Sequence, residues 1–281
     1  MRSFFIVLFL PACYNENRYC EFIAKGKTMF QYKNDMIEAA ASQLALDFNC
    51  TPKDFIAPGF TVTRAELLPG RRHFQDTRHF FYLGSFGNGT VASVDPEIYA
   101  FTQAFLEKME GLRIFDAQGI YVINKELEKY GKAIEAFKEY YLPRMPYGST
   151  GDNAFRTEIY EGESLTELYG LTQFQNALLF KNEGERRDVL AVAVKNGDTI
   201  IGLAGASNDS ERFWQIGVDV LPGFRQSGVA GTAVSLLTRE ILIRGAVPYY
   251  GTWWANIASR NVALRCGYYP VWVEMFAVDV C

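Results

Sequence analysis

Residues 218–231 read VDVLPGFRQSGVAG, and within them the pattern of a strand gives way to the pattern of a helix. Valines alternate before Pro222, which favours a strand, and Pro222-Gly223 cannot continue a central strand. Apolar residues then recur at helical spacing from Val229 to Ile241. The segment therefore predicts a strand, a tight turn and the start of a helix.

The loop between this strand and this helix predicts a binding site for an anion. The first amide groups of a helix have no partner within it, and they lie at the positive end of the helix dipole. Small side chains also let another molecule approach the backbone closely, and the loop contains Ser227, Gly228, Ala230 and Gly231. A pyrophosphate suits such a site. The segment contains neither the dinucleotide fingerprint G-x-G-x-x-G nor the P-loop pattern.

The same loop matches the pattern R/Q-x-x-G-x-G/A and, with the preceding strand, V-x-V-x-P-x-x-R-x-x-G-x-A. This segment resembles the coenzyme A loop of the GNAT acyltransferase superfamily. A later block, from Asn256 to Tyr268, resembles the family's N-x-x-S-x-x-x-A-x-x-x-G-[FY] and predicts a helix that Asn256 caps and Gly267 ends. The resemblance covers roughly the C-terminal half, from about Phe155 to Val278.

The order of the predicted elements agrees with this resemblance. Asn196-Gly197 lies between the apolar runs Val189–Val194 and Thr199–Ala204, which is a strong hairpin signal. A strand, the glycine loop, a helix, a strand, a helix and a strand follow, as in the GNAT order. The resemblance implies an α/β (α+β) fold with a mixed, mostly antiparallel sheet flanked by helices, and a smaller α/β domain precedes it.

The resemblance also implies an activity, which is the transfer of an acyl group, usually acetyl, from acetyl-CoA to a primary amine. The acceptor would be a small molecule or a peptide. Backbone groups of Val218 and Val220 would pair with the pantetheine arm, and the amides around Gln226–Gly231 would hold the pyrophosphate. The cofactor-binding residues expected on this basis are Val218, Val220, Arg225, Gln226, Ser227, Gly228, Val229, Ala230, Gly231, Asn256, Ser259 and Asn261.

The last three of these residues have an alternative interpretation. Asn256, Ser259 and Asn261 match polar positions of the family's later block, so they would hydrogen-bond the cofactor. Helix capping explains Asn256 equally well, and simple exposure to solvent explains the other two.

No catalytic residue follows from the resemblance. Family members often carry Glu or His on the strand before the loop, but those positions are Trp214 and Ile216 here, and the frequent tyrosine acid corresponds to Ala263. Asp219 is ionisable, yet strand alternation points it away from the face of Trp214 and Ile216. We expect catalysis mainly by positioning, with deprotonation in solvent or through a distant group such as Glu211. The alternative is a non-catalytic GNAT fold that binds acetyl-CoA as a sensor or partner module.

Composition excludes several other classes. The chain has 281 residues and 49% apolar residues, which indicates one or two domains with a large core. A net charge of −4 argues against nucleic acid as the main partner, and no apolar run reaches the length of about 20 residues that a membrane span needs. The 5 cysteines lack metal-type spacing, which favours reduced thiols in a cytoplasmic protein.

We also expect no metal site. The 2 histidines, His73 and His79, lie near Asp76 without the spacing of a helical zinc pair. Three arginines in the same segment oppose a cation and favour an anion-binding or solvated basic loop; they are Arg71, Arg72 and Arg78.

The chain is expected to divide into four parts. Residues 1–28 are interpreted as an extension outside the fold, because codons for Lys25-Gly26 can spell a bacterial ribosome-binding site before Met29; a signal peptide is the alternative. Residues 29–141 then form an N-terminal α/β domain, which is alternatively a degenerate GNAT-like half. A Pro- and Gly-rich linker at 142–153 precedes a GNAT domain at 154–281.

The remaining secondary structure follows from periodicity and turn signals. Helices are predicted at Asp35–Phe48, at about Lys132–Tyr141 and at Ser164–Phe180. A hairpin is predicted from Phe80–Phe86 and Thr90–Val94, around a Gly-Asn-Gly turn.

Overall fold

The computed structural model describes residues 33–74, 77–109, 111–148 and 155–280. The predicted extension at residues 1–28 lies outside these ranges. One sheet of ten strands runs through the molecule. Its strands are β1 (Gly59–Arg64), β2 (Phe81–Ser85), β3 (Gly89–Val94), β4 (Lys132–Pro143), β5 (Arg156–Glu161), β6 (Asp188–Asn196), β7 (Thr199–Asn208), β8 (Phe213–Val220), β9 (Val247–Trp253) and β10 (Tyr268–Asp279).

Helices cover both faces of this sheet. The α-helices in the described ranges are α1 (Lys33–Asp47), α2 (Pro52–Ile56), α3 (Tyr99–Lys108), α4 (Ala117–Leu127), α5 (Val229–Ile243) and α6 (Ile257–Arg265). Short 3-10 turns connect several elements, and one of them, Pro222–Phe224, lies between β8 and α5. None of the helices in the described residues is long and apolar enough to span a bilayer.

The order of strands across the sheet is β1-β3-β2-β10-β4-β9-β8-β7-β6-β5. Two neighbouring pairs, β1 with β3 and β8 with β9, are parallel, and the others are antiparallel. The predicted mixed, mostly antiparallel sheet flanked by helices is therefore confirmed. The division of the chain into domains stays a prediction.

We call the face of the sheet that carries Tyr141, Ile216 and Tyr250 the front face. These side chains pack with α5 and with Ala263 of α6 in one apolar cluster. The opposite, back face carries Tyr140 and Tyr249, which pack with α1 in a second cluster. Each central strand therefore buries side chains on both faces, as expected for a sheet between two helical layers.

The predicted helix at Lys132–Tyr141 is wrong, because these residues form β4 in the middle of the sheet. β4 pairs with β10 on one side and with β9 on the other. Its start is rich in good helix formers, but Tyr140 and Tyr141 bury their rings on opposite faces. Alternating burial is a property of strands, and here the tertiary position overrides local propensity.

The predicted helix at Ser164–Phe180 is also wrong. The chain forms 3-10 turns at Gly162–Leu168 and Thr172–Phe174 and then an irregular segment. Carboxylates from the sheet hold this segment: Asp219 accepts hydrogen bonds from the Asn176 and Ala177 amides, and Asp188 from the Leu179 and Lys181 amides. These amides would donate along the axis of a continuous helix, so the two arrangements exclude each other. The apolar positions are nevertheless buried, including Leu165, Leu168, Phe174 and Leu178.

The turn signals gave correct elements elsewhere. The β2–β3 and β6–β7 hairpins form as predicted. Asn256 caps α6 by accepting a hydrogen bond from the Ser259 amide at 3.1 Å, and Gly267 after it has a φ of +79°. The helix predicted at Asp35–Phe48 is α1, which begins two residues earlier and ends one residue earlier.

Candidate active site

A gap opens in the sheet between β8 and β9. The two strands pair in parallel from Phe213–Val247 to Ile216–Tyr250. Beyond this point the residues Gly217–Val220 stay paired with β7, while β9 continues along β4. No residue that the structure describes pairs with Gly217–Val220 on the β9 side. The backbone there is an unpaired strand edge inside the sheet, which is the kind of edge to which an extended chain can add.

The loop that follows β8 ends at a cluster of free backbone amides. Gln226 and Gly228 have φ values of +63° and +91°, and Gly228 is the N-cap of α5. In the described part of the chain, nothing accepts a hydrogen bond from the consecutive amides Gln226 to Gly231. Left-handed residues before a helix start turn successive amides toward one point, which creates an anion-binding concavity. The geometry therefore agrees with the anion site predicted from the sequence.

The side chains of this loop leave the amides accessible. A Cβ placed on Gly228 or on Gly231 would meet no atom within 4 Å. The Ser227 hydroxyl donates to the Phe224 carbonyl at 2.6 Å and so stabilises the turn. Arg225 is exposed, and its Nε lies 3.4 Å from the Val220 carbonyl oxygen. Val229 is buried, so of this residue only the backbone amide can reach a ligand.

The residues predicted on α6 lie in different surroundings. Asn256 is the helix cap described above, and Asn261 is exposed. The Ser259 hydroxyl lies 2.8 Å from the Tyr250 hydroxyl, which belongs to β9 at the point where the gap begins. Burial raises the pKa of Tyr250 to about 12. Cofactor binding by these residues and by the β8 loop stays a prediction.

Asp219 lies on the back face, as strand alternation predicted. Its carboxylate accepts hydrogen bonds from the Asn176 amide at 2.6 Å, the Ala177 amide at 3.1 Å and the Asn176 side-chain nitrogen at 2.8 Å. These contacts fix the segment after the 3-10 turns against β8. Asp219 is therefore a structural residue and does not face the front side of the gap.

The other positions considered for proton transfer also place no acid or base at the gap. Ile216 is almost fully buried, and Trp214 packs against the same front-face cluster. Ala263 is fully buried beside Tyr141 and Tyr250. Glu211 is exposed and precedes β8, so it lies at the closed end of the β8–β9 pair, about 16 Å along the strand from Ile216.

Sequence reasoning missed a polar cluster on the front face of β4. The Tyr141 hydroxyl donates to Glu139 Oε2 at 2.5 Å, and Arg260 Nε of α6 lies 3.1 Å from both groups. In the sheet Tyr141 is opposite Tyr250 and Glu139 is opposite Thr252. Burial and the hydrogen bond to Glu139 raise the pKa of Tyr141. No local sequence signal reveals this cluster, since it depends on β4 lying beside β9.

The back face near the gap carries a buried ionic network. Arg72 Nε lies 2.5 Å from Asp47 Oδ2, and Arg72 Nη2 lies 2.6 Å from Glu274 Oε1. The Tyr82 hydroxyl donates to Glu274 at 2.6 Å. Burial alone would raise the pKa of Glu274, but Arg72 and the hydrogen bonds outweigh it and lower the pKa. This network joins α1, β2 and β10 to the basic loop, so Arg72 has a structural role.

The two histidines contact different residues. His73 Nδ1 lies 2.9 Å from Glu185 Oε2, and the His79 ring stacks on Tyr82 with centroids 4.2 Å apart. Asp76 lies outside the described residues. Within those residues no group of three or more His, Cys, Asp or Glu side chains is arranged to hold a metal ion.

The match to a known protein family falls on the part of the chain that contains the gap and the loop. Residues 155–268 match the Acetyltransferase (GNAT) family. The C-terminal part of the chain is thus the part that resembles GNAT proteins, as its sequence predicted, and we call residues 155–268 the GNAT segment. A search of curated proteins found no match.

Solved structures show more distant likenesses. A Novosphingobium aromaticivorans structure assigned to the GNAT acetyltransferases is 14% identical and has a TM-score of 0.41, with 52% of this chain and 66% of that chain covered. A GNAT-family acetyltransferase from Colwellia psychrerythraea is 13% identical over 66% of this chain and 75% of that chain, with a TM-score of 0.42. A Drosophila protein is 13% identical over 95% of this chain and 98% of that chain, with a TM-score of 0.38.

Proposed function

We propose that this protein transfers an acetyl group from acetyl-CoA to a primary amine of a small-molecule or peptide acceptor. The observation that carries the proposal is the unpaired edge of β8 leading directly to the free amides of the loop before α5. The match of the GNAT segment to an acetyltransferase family supports the same reaction. Since acetyl-CoA is a cytosolic cofactor, we propose a cytoplasmic enzyme.

The proposed complex uses the backbone for most contacts. The amides from Gln226 to Gly231 would bind the pyrophosphate, because they lack acceptors and lie at a helix N-terminus. The pantetheine arm would lie along Gly217–Val220 as an added strand, with its amides paired to the backbone of Val218 and Val220. The thioester would then lie near Ile216 and Tyr250, where the strands meet.

The chemistry that this arrangement supports is direct attack by the amine on the thioester. A backbone amide at the start of the gap would polarise the carbonyl, and holding both reactants in one orientation would supply a large share of the rate. Neither Trp214 nor Ile216 can accept a proton, so β8 offers no base on its front face. The reaction proposed therefore needs no nucleophilic side chain and no base on β8.

Calorimetry with acetyl-CoA tests the cofactor site through Gly231→Glu. The new side chain would project into the open space before the amides and would repel the pyrophosphate, so we expect at least a tenfold loss of affinity. Gly231 is the better position than Gly228, because the φ of +91° at Gly228 would add backbone strain to any substitution.

A matched control is Gly170→Glu, which adds the same charge at an exposed site where a Cβ also meets nothing within 4 Å. This control should bind acetyl-CoA like the native protein. Equal affinity for native protein and a folded Gly231→Glu variant would refute the cofactor assignment.

A second candidate function is a non-catalytic acetyl-CoA sensor with the same fold. The apolar residues Trp214, Ile216 and Ala263 at the positions where GNAT proteins often carry catalytic groups favour it. Release of free thiol from acetyl-CoA in the presence of a pool of amines, amino acids and peptides separates the two functions. Binding without thiol release would support the sensor.

A further inference from the structure

Few carboxylates lie on the strands at and next to the gap. The gap lies between β8 and β9, and the part of β4 that pairs with β9, Lys138 to Tyr141, lies directly behind β9. These segments contain two carboxylates, Asp219 and Glu139. Asp219 is on the back face, where it is occupied by the amides of Asn176 and Ala177. Glu139 is therefore the one that remains on the front face of these three segments.

The geometry of Glu139 leaves one oxygen available. Oε2 accepts a hydrogen bond from the Tyr141 hydroxyl and contacts Arg260. Oε1 has no hydrogen-bond partner among the residues that the structure describes, and the side chain keeps 14% of its surface exposed. A carboxylate held by two donors through one oxygen is fixed in orientation, while its second oxygen can still accept a proton.

The position of this cluster, like its geometry, fits the reaction. Tyr141 lies opposite Tyr250, the β9 residue at which the gap begins, and Glu139 lies two residues further along β4, opposite Thr252. Arg260 follows directly after Ser259, a residue expected to contact the cofactor. The cluster thus lies on the front face one strand behind β9, beside the part of β9 that diverges from the unpaired edge of β8.

We propose that Glu139 is the proton acceptor for the amine, so that strand β4, from outside the GNAT segment, completes the active site. This inference rests on the proposed acetyl transfer. Tyr141 and Arg260 are positioning residues, since they act by holding the Glu139 carboxylate. A group on another strand then supplies the base that is absent from β8, where Trp214 and Ile216 occupy the positions at which family members often carry Glu or His.

The proposed step balances without any further reactant. The amine nitrogen bonds to the carbonyl carbon, the carbon–sulfur bond breaks, and its electron pair leaves with sulfur. Glu139 takes the proton that the nitrogen loses and afterwards gives it to the thiolate, directly or through water. The products are the N-acetylated acceptor and coenzyme A, and Glu139 returns to its starting state.

The test compares Glu139→Gln with Glu135→Gln, an exposed residue of the same strand outside the part that pairs with β9. Acetyl-CoA affinity is measured by calorimetry, and kcat and KM are measured by thiol release with an amine that the native protein acetylates. We expect Glu139→Gln to keep acetyl-CoA affinity within about threefold and to lose about 100-fold or more in kcat, as is typical when a general base is removed. Glu135→Gln should keep both.

The pH profile separates proton transfer from a merely structural role. The charged and titratable groups that face Glu139 are Tyr141 from β4 and Arg260 from α6, while β9 and β10 present Thr252 and Val273 opposite it. In Glu139→Gln the residual rate should rise with pH in proportion to the free-amine form of the acceptor. Glu139→Asp, which retains a carboxylate, should recover part of the lost rate.

The outcomes distinguish this inference from the proposed function. Thiol release by the native protein together with a loss of less than about threefold in Glu139→Gln would overturn the role of Glu139 and leave acetyl transfer standing. A large loss in Glu139→Gln with an unchanged pH profile and no recovery in Glu139→Asp would also overturn it. Native protein that binds acetyl-CoA but releases no thiol with any amine would overturn both.

Discussion

Asp219 allows a direct test of whether a carboxylate on β8 serves stability or chemistry. Its three acceptor contacts tie β8 to Asn176 and Ala177. A hydrogen bond to a charged group contributes about 1.5–3 kcal/mol, and part of this segment is exposed, so the three bonds contribute less than their sum. We expect Asp219→Ala to lower the free energy of unfolding by about 2–4 kcal/mol, and Asp219→Asn, which keeps one acceptor oxygen, by about half as much.

Catalysis should respond differently from stability. Because Asp219 faces away from the front side of the gap, Asp219→Asn should lower kcat/KM by less than about tenfold, or about 1.4 kcal/mol of barrier. Urea denaturation gives the stability of each variant, and thiol release gives its activity under conditions where it is folded.

Glu211→Gln serves as the comparison, since Glu211 is exposed at the closed end of the β8–β9 pair and should change neither quantity appreciably. A loss of several hundredfold in kcat/KM for Asp219→Asn, with intact acetyl-CoA affinity, would refute the structural reading. Unchanged stability of Asp219→Ala would refute the magnitude derived from its contacts.

Two further predictions concern stability and the shape of the loop. Burial lowers the pKa of His79 from 6.5 to about 4, so its contribution to stability is complete above pH 6.5 and is lost as the pH falls toward 4, by up to about 3 kcal/mol. His79→Phe should therefore show a shallower fall in unfolding free energy over this interval than the native protein, measured by urea denaturation at a series of pH values. A Cβ on Gly202 would lie 2.3 Å from Val229 Cγ1, so Gly202→Ala should displace the start of α5, cost about 1–3 kcal/mol and weaken acetyl-CoA binding in calorimetry. An unchanged affinity in Gly202→Ala would show that the amides before α5 do not need this packing.

The elements of the GNAT segment were predictable where turn chemistry and periodicity agreed. Asn196-Gly197 indicated a hairpin, Asn256 and Gly267 indicated both ends of α6, and the small residues before Val229 indicated the loop before α5. In each case the deciding residue acts on its immediate neighbours. Local information was therefore sufficient for these elements.

The parts that the sequence did not reveal depend on contacts between distant segments. β4 begins like a helix, and only its place between β9 and β10 makes it a strand. The segment after Gly162 has helical spacing of leucines, but Asp219 and Asp188 hold its amides in another conformation. The Glu139 cluster was missed because β4 was predicted to be a helix, and its side chains meet Arg260 only in the assembled sheet.

The position of β4 also decides when the sheet can close during synthesis. β4 is complete long before β9 and β10 have been made, yet both of its hydrogen-bonded neighbours are those late strands. Until β9 is made both edges of β4 are open, and the edge that pairs with β10 stays open until Tyr268 and the residues after it emerge; open strand edges are templates for wrong pairing. Pairing between segments so far apart in sequence is slow to form. The nascent chain thus passes through a long interval in which this strand edge is exposed, and the twelve-residue strand β10 ends that interval.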